Sequence, residues 1–134
     1  MFRWFPNLFN TTYDKTEENL RKLFSFLLND YDFNFSKEII ENATDKNGKF
    51  FFHGPLNLYQ FYNENACINI LHLVQRDDYN VYITDKKSTD QTYIRNGVEV
   101  PYKLAYDPAL LAKEIEQSVL NCGEIFGHKI HLHR

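Results

Sequence analysis

Histidines near the C-terminus give the sequence its clearest candidate for metal chemistry. His128, His131 and His133 follow the pattern H-x-x-H-x-H. If this segment is a strand, His131 and His133 point to the same side, where two imidazoles can share a metal ion. Cys122 and Glu124 are near, but neither stands at a spacing that completes a site of four ligands. A solvent-exposed tail is the preferred interpretation, and we expect no metal and no other cofactor.

Acid–base catalysis has two isolated candidates. His53 precedes Gly-Pro and His72 lies within a predicted strand, and either imidazole could act as a general base. The neighbouring carboxylates of Asp77 and Asp78 point apart on a turn, so they do not form an acid–base pair. The serines lie in no nucleophile motif, and no glycine-rich phosphate loop is present. We therefore predict that the protein is not an enzyme; the alternative is a small enzyme or ligand-binding domain with a pocket between sheet and helices.

The composition is typical of one small domain with an unusual share of aromatic residues. The 134 residues predict a single domain over residues 1–134. The chain contains 12 Phe, 9 Tyr and 1 Trp, and a phenylalanine-filled core explains the tyrosines less well than the phenylalanines. The net charge of −3 argues against direct nucleic-acid binding and suits a basic partner protein. No run has the length of a signal peptide or a membrane span, so we expect a cytoplasmic protein.

Two helices are predicted, one at each end of the chain. The first begins at Thr16 and ends at Asn29-Asp30. Its apolar stripe has the spacing i, i+3, i+4, i+7 and consists of Leu20, Leu23, Phe24 and Leu27. The second helix has Asp107 as N-cap, Pro108 at its first position and Gly123 just past its end. Its apolar face consists of Leu111, Ile115, Val119 and Cys122.

Strand patterns fill the chain between the two helices. The predicted strands are 50–53, 56–63, 67–74 and 79–84, followed by a tight hairpin over 92–101 around Asn96-Gly97. A short helix over 37–42 and a turn at Asn47-Gly48 precede them. Because strands and helices do not alternate, we expect an α+β fold. It consists of an antiparallel sheet of about five to six strands, with the N-terminal and C-terminal helices packed on one face.

The predicted hairpin over 67–84 has two partly apolar faces. Pairing Val74 with Tyr79 gives a core face of Ile68, Ile70, His72, Val74, Val81 and Ile83. The reverse face then carries Asn69, Leu71, Leu73, Asn80, Tyr82 and Thr84. This mixture of tyrosine, leucine and amide side chains is typical of an interface. In the alternative interpretation, residues 120–134 or an N-terminal arm with Trp4 and Phe5 cover the reverse face.

Carboxylates lie in the loops at both ends of these strands. Acidic loops beside tyrosine-bearing strands suit a basic protein partner, although loops are also charged simply because they are solvated. The predicted partner-binding residues are Asp77, Asp78, Tyr79, Tyr82, Asp85, Asp90 and Glu99, together with Tyr59 and Tyr62.

The chain as a whole resembles the immunity proteins of bacterial contact-dependent growth inhibition and related polymorphic toxin systems. The similar features are its small acidic character, the segment "GKFFFHGPLNLYQFYNENACINILHLVQRDDYNVYIT" and the capped helix "YDPALLAKEIEQSVLNCG". The resemblance implies tight binding to a cognate toxin domain, commonly a basic nuclease, at its active site or beside it. It implies no catalytic residues. The free protein is then a monomer or a homodimer, and a homo-oligomer that buries the mixed face is a further alternative.

Overall fold

The computed structural model describes residues 14–44 and 50–130, with the backbone alone at 42–44, 50–54 and 76. The helices are α1 (Lys15–Leu23), α2 (Ser25–Asp30), α3 (Gln91–Arg95), α4 (Tyr102–Ala105) and α5 (Pro108–Cys122). The strands are β1 (Asn34–Thr44), β2 (Phe50–Tyr62), β3 (Cys67–Leu73), β4 (Asp78–Thr84), β5 (Val98–Glu99), β6 (Glu124–Ile125) and β7 (His128–Lys129). A five-stranded antiparallel sheet has the order β1-β2-β3-β4-β5, and β6 pairs with β7. The predicted α+β fold is confirmed.

The first helical segment begins at Lys15, one position earlier than predicted. Asp14 is its N-cap, and its Oδ1 accepts a hydrogen bond of 3.1 Å from the backbone N–H of Glu17. A carboxylate at this position satisfies a helix N–H and interacts favourably with the helix dipole. Phe24 separates α1 from α2, and the predicted stripe is buried at Leu20, Phe24 and Leu27.

The C-terminal helix begins and ends as predicted. Asp107 caps α5 by accepting a hydrogen bond of 3.2 Å from the N–H of Leu110, and Pro108 occupies the first turn. Gly123 follows with φ 69°, the left-handed conformation that glycine adopts at low cost. The buried face consists of Leu111, Ala112, Ile115 and Val119. Cys122 is exposed and does not belong to it.

Both predicted helices pack on the same face of the sheet, as expected. Apolar residues of α1, α2 and α5 share one buried cluster with residues of β2, β3 and β4. Phe61 of β2 lies at its centre, with ring centroids 4.9 Å from Phe24 and 5.0 Å from Phe35. Burial of these rings against aliphatic side chains supplies much of the stability of this layer.

The edge of the sheet differs from its prediction. The expected helix over 37–42 is wrong, because β1 is a strand there and Asn34–Ile40 pairs residue by residue with β2. Strand β2 also continues through Gly54-Pro55, where a break was expected, and the register shifts opposite that point. Pairing with a long neighbouring strand outweighs local helix propensity. The predicted turn at Asn47-Gly48 lies outside the described residues.

Strands β3 and β4 pair in a register two residues away from the predicted one. His72, not Val74, lies opposite Tyr79, so the partner position moves from 74 to 72. Val74–Arg76 form a 3-10 turn and Asp77 adopts φ 47°, so the loop begins earlier. An even shift leaves every side chain on its predicted face. Val74, however, leaves the core face and is half-exposed.

The predicted hairpin over 92–101 is wrong. Residues 91–95 form α3, because Asp90 acts as N-cap and accepts a hydrogen bond of 3.0 Å from the N–H of Thr92. The chain then returns along β4, with Val98 opposite Ile83. At Gly97 a Cβ would lie 2.5 Å from the carbonyl oxygen of Ile83. The glycine therefore serves a close approach to β4 and not a hairpin turn.

The reverse face of the sheet is buried within the monomer. Leu56, Leu58, Leu71, Leu73, Tyr82 and Ile94 form a second apolar cluster. Ile94 belongs to α3, which also contacts β1, so this short helix lies across the reverse face. The expectation of an open, partner-binding reverse face was wrong. Of the predicted alternative cover, residues 120–134, the described part places Ile125 and Ile130 in the first cluster, with the N-terminal and C-terminal helices. Residues 131–134 and the N-terminal arm with Trp4 and Phe5 lie outside the described residues.

The amides on the reverse face form a buried hydrogen-bond network. Gln60 Nε2 donates to Asn69 Oδ1 at 2.8 Å and to the Ser88 carbonyl at 2.8 Å. Asn69 Nδ2 donates to the Tyr82 carbonyl and to Thr84 Oγ1, both at 3.0 Å. Internal partners therefore satisfy Asn69 and Thr84, two polar side chains that the sequence pattern assigned to an interface. None of the helices described by the structure is long and apolar enough to cross a membrane.

Candidate functional site

The tip of the β3–β4 hairpin presents two carboxylates. Asp77, in the left-handed conformation, has a side chain that is 85% exposed. Its Oδ1 lies 2.9 Å from Nε2 of the buried His72, and the His72 ring stacks on Tyr79 with centroids 4.4 Å apart. Asp78 follows, and its Oδ1 accepts a hydrogen bond of 3.0 Å from the N–H of Tyr79. The contact with His72 thus helps to fix the tip, where Asp77 is exposed and Asp78 is partly exposed.

A pair of exposed tyrosines lies beside this tip. Tyr102 and Tyr106 are four positions apart on and just after α4, and their rings stack with centroids 5.1 Å apart at 18°. They are 63% and 54% exposed. The Tyr102 hydroxyl donates to Asp78 Oδ1 at 3.4 Å, and the charge of Asp78 raises the pKa of Tyr102. We call Asp77, Asp78, Tyr102 and Tyr106 the tyrosine–aspartate surface.

Sequence reasoning identified only the acidic half of this surface. Tyr102 lies between the predicted hairpin and the predicted C-terminal helix, Tyr106 immediately precedes the N-cap of that helix, and neither was predicted to contact a partner. Their Y-x-x-x-Y spacing was the available signal, because residues four apart share one side of a helical turn. The path of β5 brings them to the hairpin tip: it runs antiparallel to β4 and leads towards the Asp78 end.

Three of the predicted acidic residues lie elsewhere. Asp85, Asp90 and Glu99 are near the opposite end of β4, where Glu99 pairs with Tyr82. Asp85 Oδ1 lies 3.0 Å from His128 Nε2, and Asp90 is occupied as the cap of α3. The structure therefore does not join these residues to Asp77 and Asp78 in one surface.

Two of the predicted tyrosines are buried, so they offer no contact surface. The Tyr59 hydroxyl donates to Asp14 Oδ2 at 2.6 Å, and burial and this carboxylate raise the pKa of Tyr59 well above its ordinary value. The Tyr82 hydroxyl accepts from Arg95 Nη1 at 3.0 Å beneath α3. Tyr62 is half-buried at the opposite end of the sheet from the hairpin tip. Tyr79 belongs to the tip but serves mainly as the support on which His72 stacks.

Among the residues that the structure describes, the candidate histidines lie at separate places: His72 is beside Asp77, and His128 is beside Asp85. The side chain of His53 lies outside the described residues, as do His131 and His133. The groove that borders Tyr79, about 450 Å³ in volume, is lined by residues of α1 and does not include His72. Within residues 14–44 and 50–130, no three metal-binding side chains come together.

Comparison with known proteins identifies no relative of this chain. The chain matches no protein-family model, no curated protein and no solved structure. Its function is therefore inferred from the surface itself. The tyrosine–aspartate surface offers a stacked aromatic pair beside one exposed and one partly exposed carboxylate, an arrangement suited to binding.

Proposed function

We propose that this protein binds and neutralises a basic partner protein through the tyrosine–aspartate surface, as an immunity protein does with its toxin domain. The observation that carries the proposal is the exposed, stacked pair of Tyr102 and Tyr106 beside Asp77 and Asp78. The covered reverse face of the sheet takes no part. The same burial argues against a homo-oligomer formed through that face, because the face is already covered within the monomer.

The tyrosines supply the apolar part of the contact. A tyrosine ring offers a large contact area and loses little conformational freedom, because it has only two side-chain torsions. Stacking of Tyr102 on Tyr106 already restricts both rings before a partner arrives, which reduces the entropy lost on binding. Aromatic residues of this kind account for a large share of the binding energy in many protein interfaces.

The carboxylates determine which partner the surface accepts. Asp77 projects into solvent and Asp78 lies at hydrogen-bond distance from Tyr102. Two negative charges at the edge of an aromatic pair attract lysine and arginine side chains, which also bind favourably over tyrosine rings. The net charge of −3 adds a weak long-range attraction for a basic partner. A basic toxin domain matches both features.

The test uses the C-terminal domain of the protein encoded immediately upstream, which we expect to be toxic. Co-expression of this protein should restore growth, and surface plasmon resonance should give a specific complex. Tyr102→Ala with Tyr106→Ala should raise the dissociation rate about 100-fold, the loss typical of two central aromatic contacts. Protection should fall in parallel.

The matched control is Tyr93→Ala, which removes an exposed tyrosine from α3 near the other end of β4. It should change the dissociation rate by less than about three-fold, since it lies outside the tyrosine–aspartate surface. Circular dichroism establishes that all variants fold. An upstream gene that encodes no toxin, or equal losses for the double variant and the control, would refute the proposal.

A further inference from the structure

His72, near the end of β3, is a buried histidine in direct contact with the hairpin tip. Its side chain is 7% exposed, its ring stacks on Tyr79, and its Nε2 lies 2.9 Å from Asp77 Oδ1. An ionised carboxylate only accepts hydrogen bonds, so Nε2 must carry the hydrogen that Asp77 receives. For a neutral ring, the geometry therefore requires the Nε2–H tautomer and leaves Nδ1 with a lone pair.

The second ring nitrogen of His72 has no acceptor for a proton. Nδ1 is shielded from solvent and makes no hydrogen bond with any residue that the structure describes. Protonation would turn this atom into a buried donor without a partner, and it would place a positive charge on a ring that solvent hardly reaches. Both effects disfavour an imidazolium in the position that the ring occupies.

The surroundings of His72 offer little compensation for a positive charge. On β4, Asp77 is in contact, but its side chain is 85% exposed, so water weakens its attraction for an imidazolium. Asp78 is paired with Leu73 and therefore points to the other face of the sheet. On β2, the residue paired with His72 is the uncharged Asn57. The charged groups of α1 and its cap that act on Tyr79 or share its groove are Asp14, Lys15, Glu18 and Lys22.

The contact with His72 supports an uncommon backbone conformation at the tip. Asp77 has φ 47°, in the left-handed region that residues other than glycine adopt at some cost. The next residue, Asp78, accepts hydrogen bonds from the N–H of Tyr79 at 3.0 Å and from the hydroxyl of Tyr102 at 3.4 Å. A movement of Asp77 therefore displaces the neighbouring carboxylate, which joins the tip to the exposed tyrosine pair.

We propose that His72 makes the hairpin tip sensitive to pH: the neutral imidazole holds Asp77 in place, and the imidazolium leaves its buried position and releases the tip. The proton comes from solvent and binds at Nδ1, which then donates a hydrogen bond to water. After release, Asp77 leaves the left-handed conformation and Asp78 loses its contact with Tyr102. The change occurs in the chain alone, so the proposal does not rest on the proposed function.

The test is an NMR titration of the full chain from about pH 8 to about pH 5, the interval in which imidazole side chains ordinarily change their charge. At the upper end, long-range proton–nitrogen spectra should show the His72 proton on Nε2. As the pH falls, the amide signals of Asp77 and Tyr102 should shift together with the His72 ring signals, while those of α5 stay in place. Hydrogen exchange of the Tyr79 amide, corrected for the intrinsic effect of pH, should become at least about ten-fold faster.

Variants separate this role from a general contribution to stability. His72→Gln keeps an N–H donor for Asp77 but does not titrate, so the tip signals should stay constant over the same interval. The matched control, His128→Gln, removes the 3.0 Å contact of His128 with Asp85 at the other end of β4 and should leave the titration of the tip unchanged.

The wild-type measurements decide the matter even if His72→Gln does not fold, which circular dichroism would reveal. A proton on Nδ1 of His72 at the upper end of the titration would overturn the proposal. Tip signals that do not follow the His72 ring, or that titrate equally in a folded His72→Gln variant, would overturn it as well.

Discussion

The two cysteine side chains differ in their access to solvent. Cys67 is buried in β3, and burial raises its pKa to about 12. Cys122 is exposed at the end of α5. Because the thiolate is the reactive species, burial and a high pKa both protect Cys67.

We therefore expect that a thiol reagent modifies one cysteine of the native protein at neutral pH. Mass spectrometry of the labelled protein should identify Cys122, and Cys67 should react only after unfolding in denaturant. The variant Cys122→Ser is the control and should remain unlabelled in the native state. Rapid native labelling of that variant would show that β3 is more accessible than the structure indicates.

Asp14 links the start of α1 to the sheet and makes stability depend on pH. Partial burial by itself raises the pKa of Asp14, but hydrogen bonds from Lys37, Tyr59 and the Glu17 amide outweigh it and hold the pKa below its ordinary 3.8. The folded state therefore favours the carboxylate. Its contribution to stability is fully present above pH 3.8 and is lost as the pH falls through the lower, folded-state value.

The variant Asp14→Asn should flatten this loss, because asparagine still caps the helix but does not titrate. The free energy of unfolding of the wild-type chain and of the variant, measured by urea denaturation from pH 6 down to pH 2, should converge at the acidic end. Glu116→Gln, on the exposed side of α5, should leave the pH profile unchanged. A constant difference between the Asp14 variant and wild type at every pH would contradict this assignment.

Helix α3 has an importance out of proportion to its length, because it buries one face of the sheet. Ile94 is fully buried in the cluster with Leu71, Leu73 and Tyr82. Truncating Ile94 to alanine should cost about 2–4 kcal/mol of unfolding free energy, the usual range for a large aliphatic side chain in a core. Thr92→Ala, on the exposed side of the same helix, is the control and should cost far less. A small loss for Ile94→Ala would mean that α3 does not seal the reverse face.

The elements with strong local signals were predictable, and those determined by tertiary contacts were not. Asp107, Pro108 and Gly123 define α5 almost by themselves. Asn96-Gly97 gave a misleading hairpin signal, because the glycine is needed for its close approach to Ile83. Helix α3 was missed for the same reason, so a covered face was interpreted as an interface. In the candidate site, the sequence identified the two aspartates, but the contact of Asp78 with Tyr102 depends on the path of β5.

At the scale of the whole molecule, the acidic balance should speed association with a basic partner. Replacing Asp77 and Asp78 by lysine changes the net charge from −3 to +1, since each substitution adds two units. Association with the proposed basic partner should slow by about ten-fold or more at low salt, and its dependence on salt should weaken. Glu114→Lys with Glu116→Lys on α5 produces the same net charge at another place and is the control. Equal slowing in both variants would show that net charge, not the hairpin tip, controls the encounter.

The buried amide network between Gln60, Asn69 and the Tyr82 carbonyl has a consequence for how the sheet assembles. A register shift of two residues between neighbouring strands would keep the apolar face buried. It would, however, leave these amides without their hydrogen-bond partners, next to leucine side chains. The amides therefore specify the strand register, because they destabilise shifted pairings that apolar side chains alone would tolerate. Replacing both Gln60 and Asn69 by leucine should yield a sheet that still forms a compact state but populates more than one strand register.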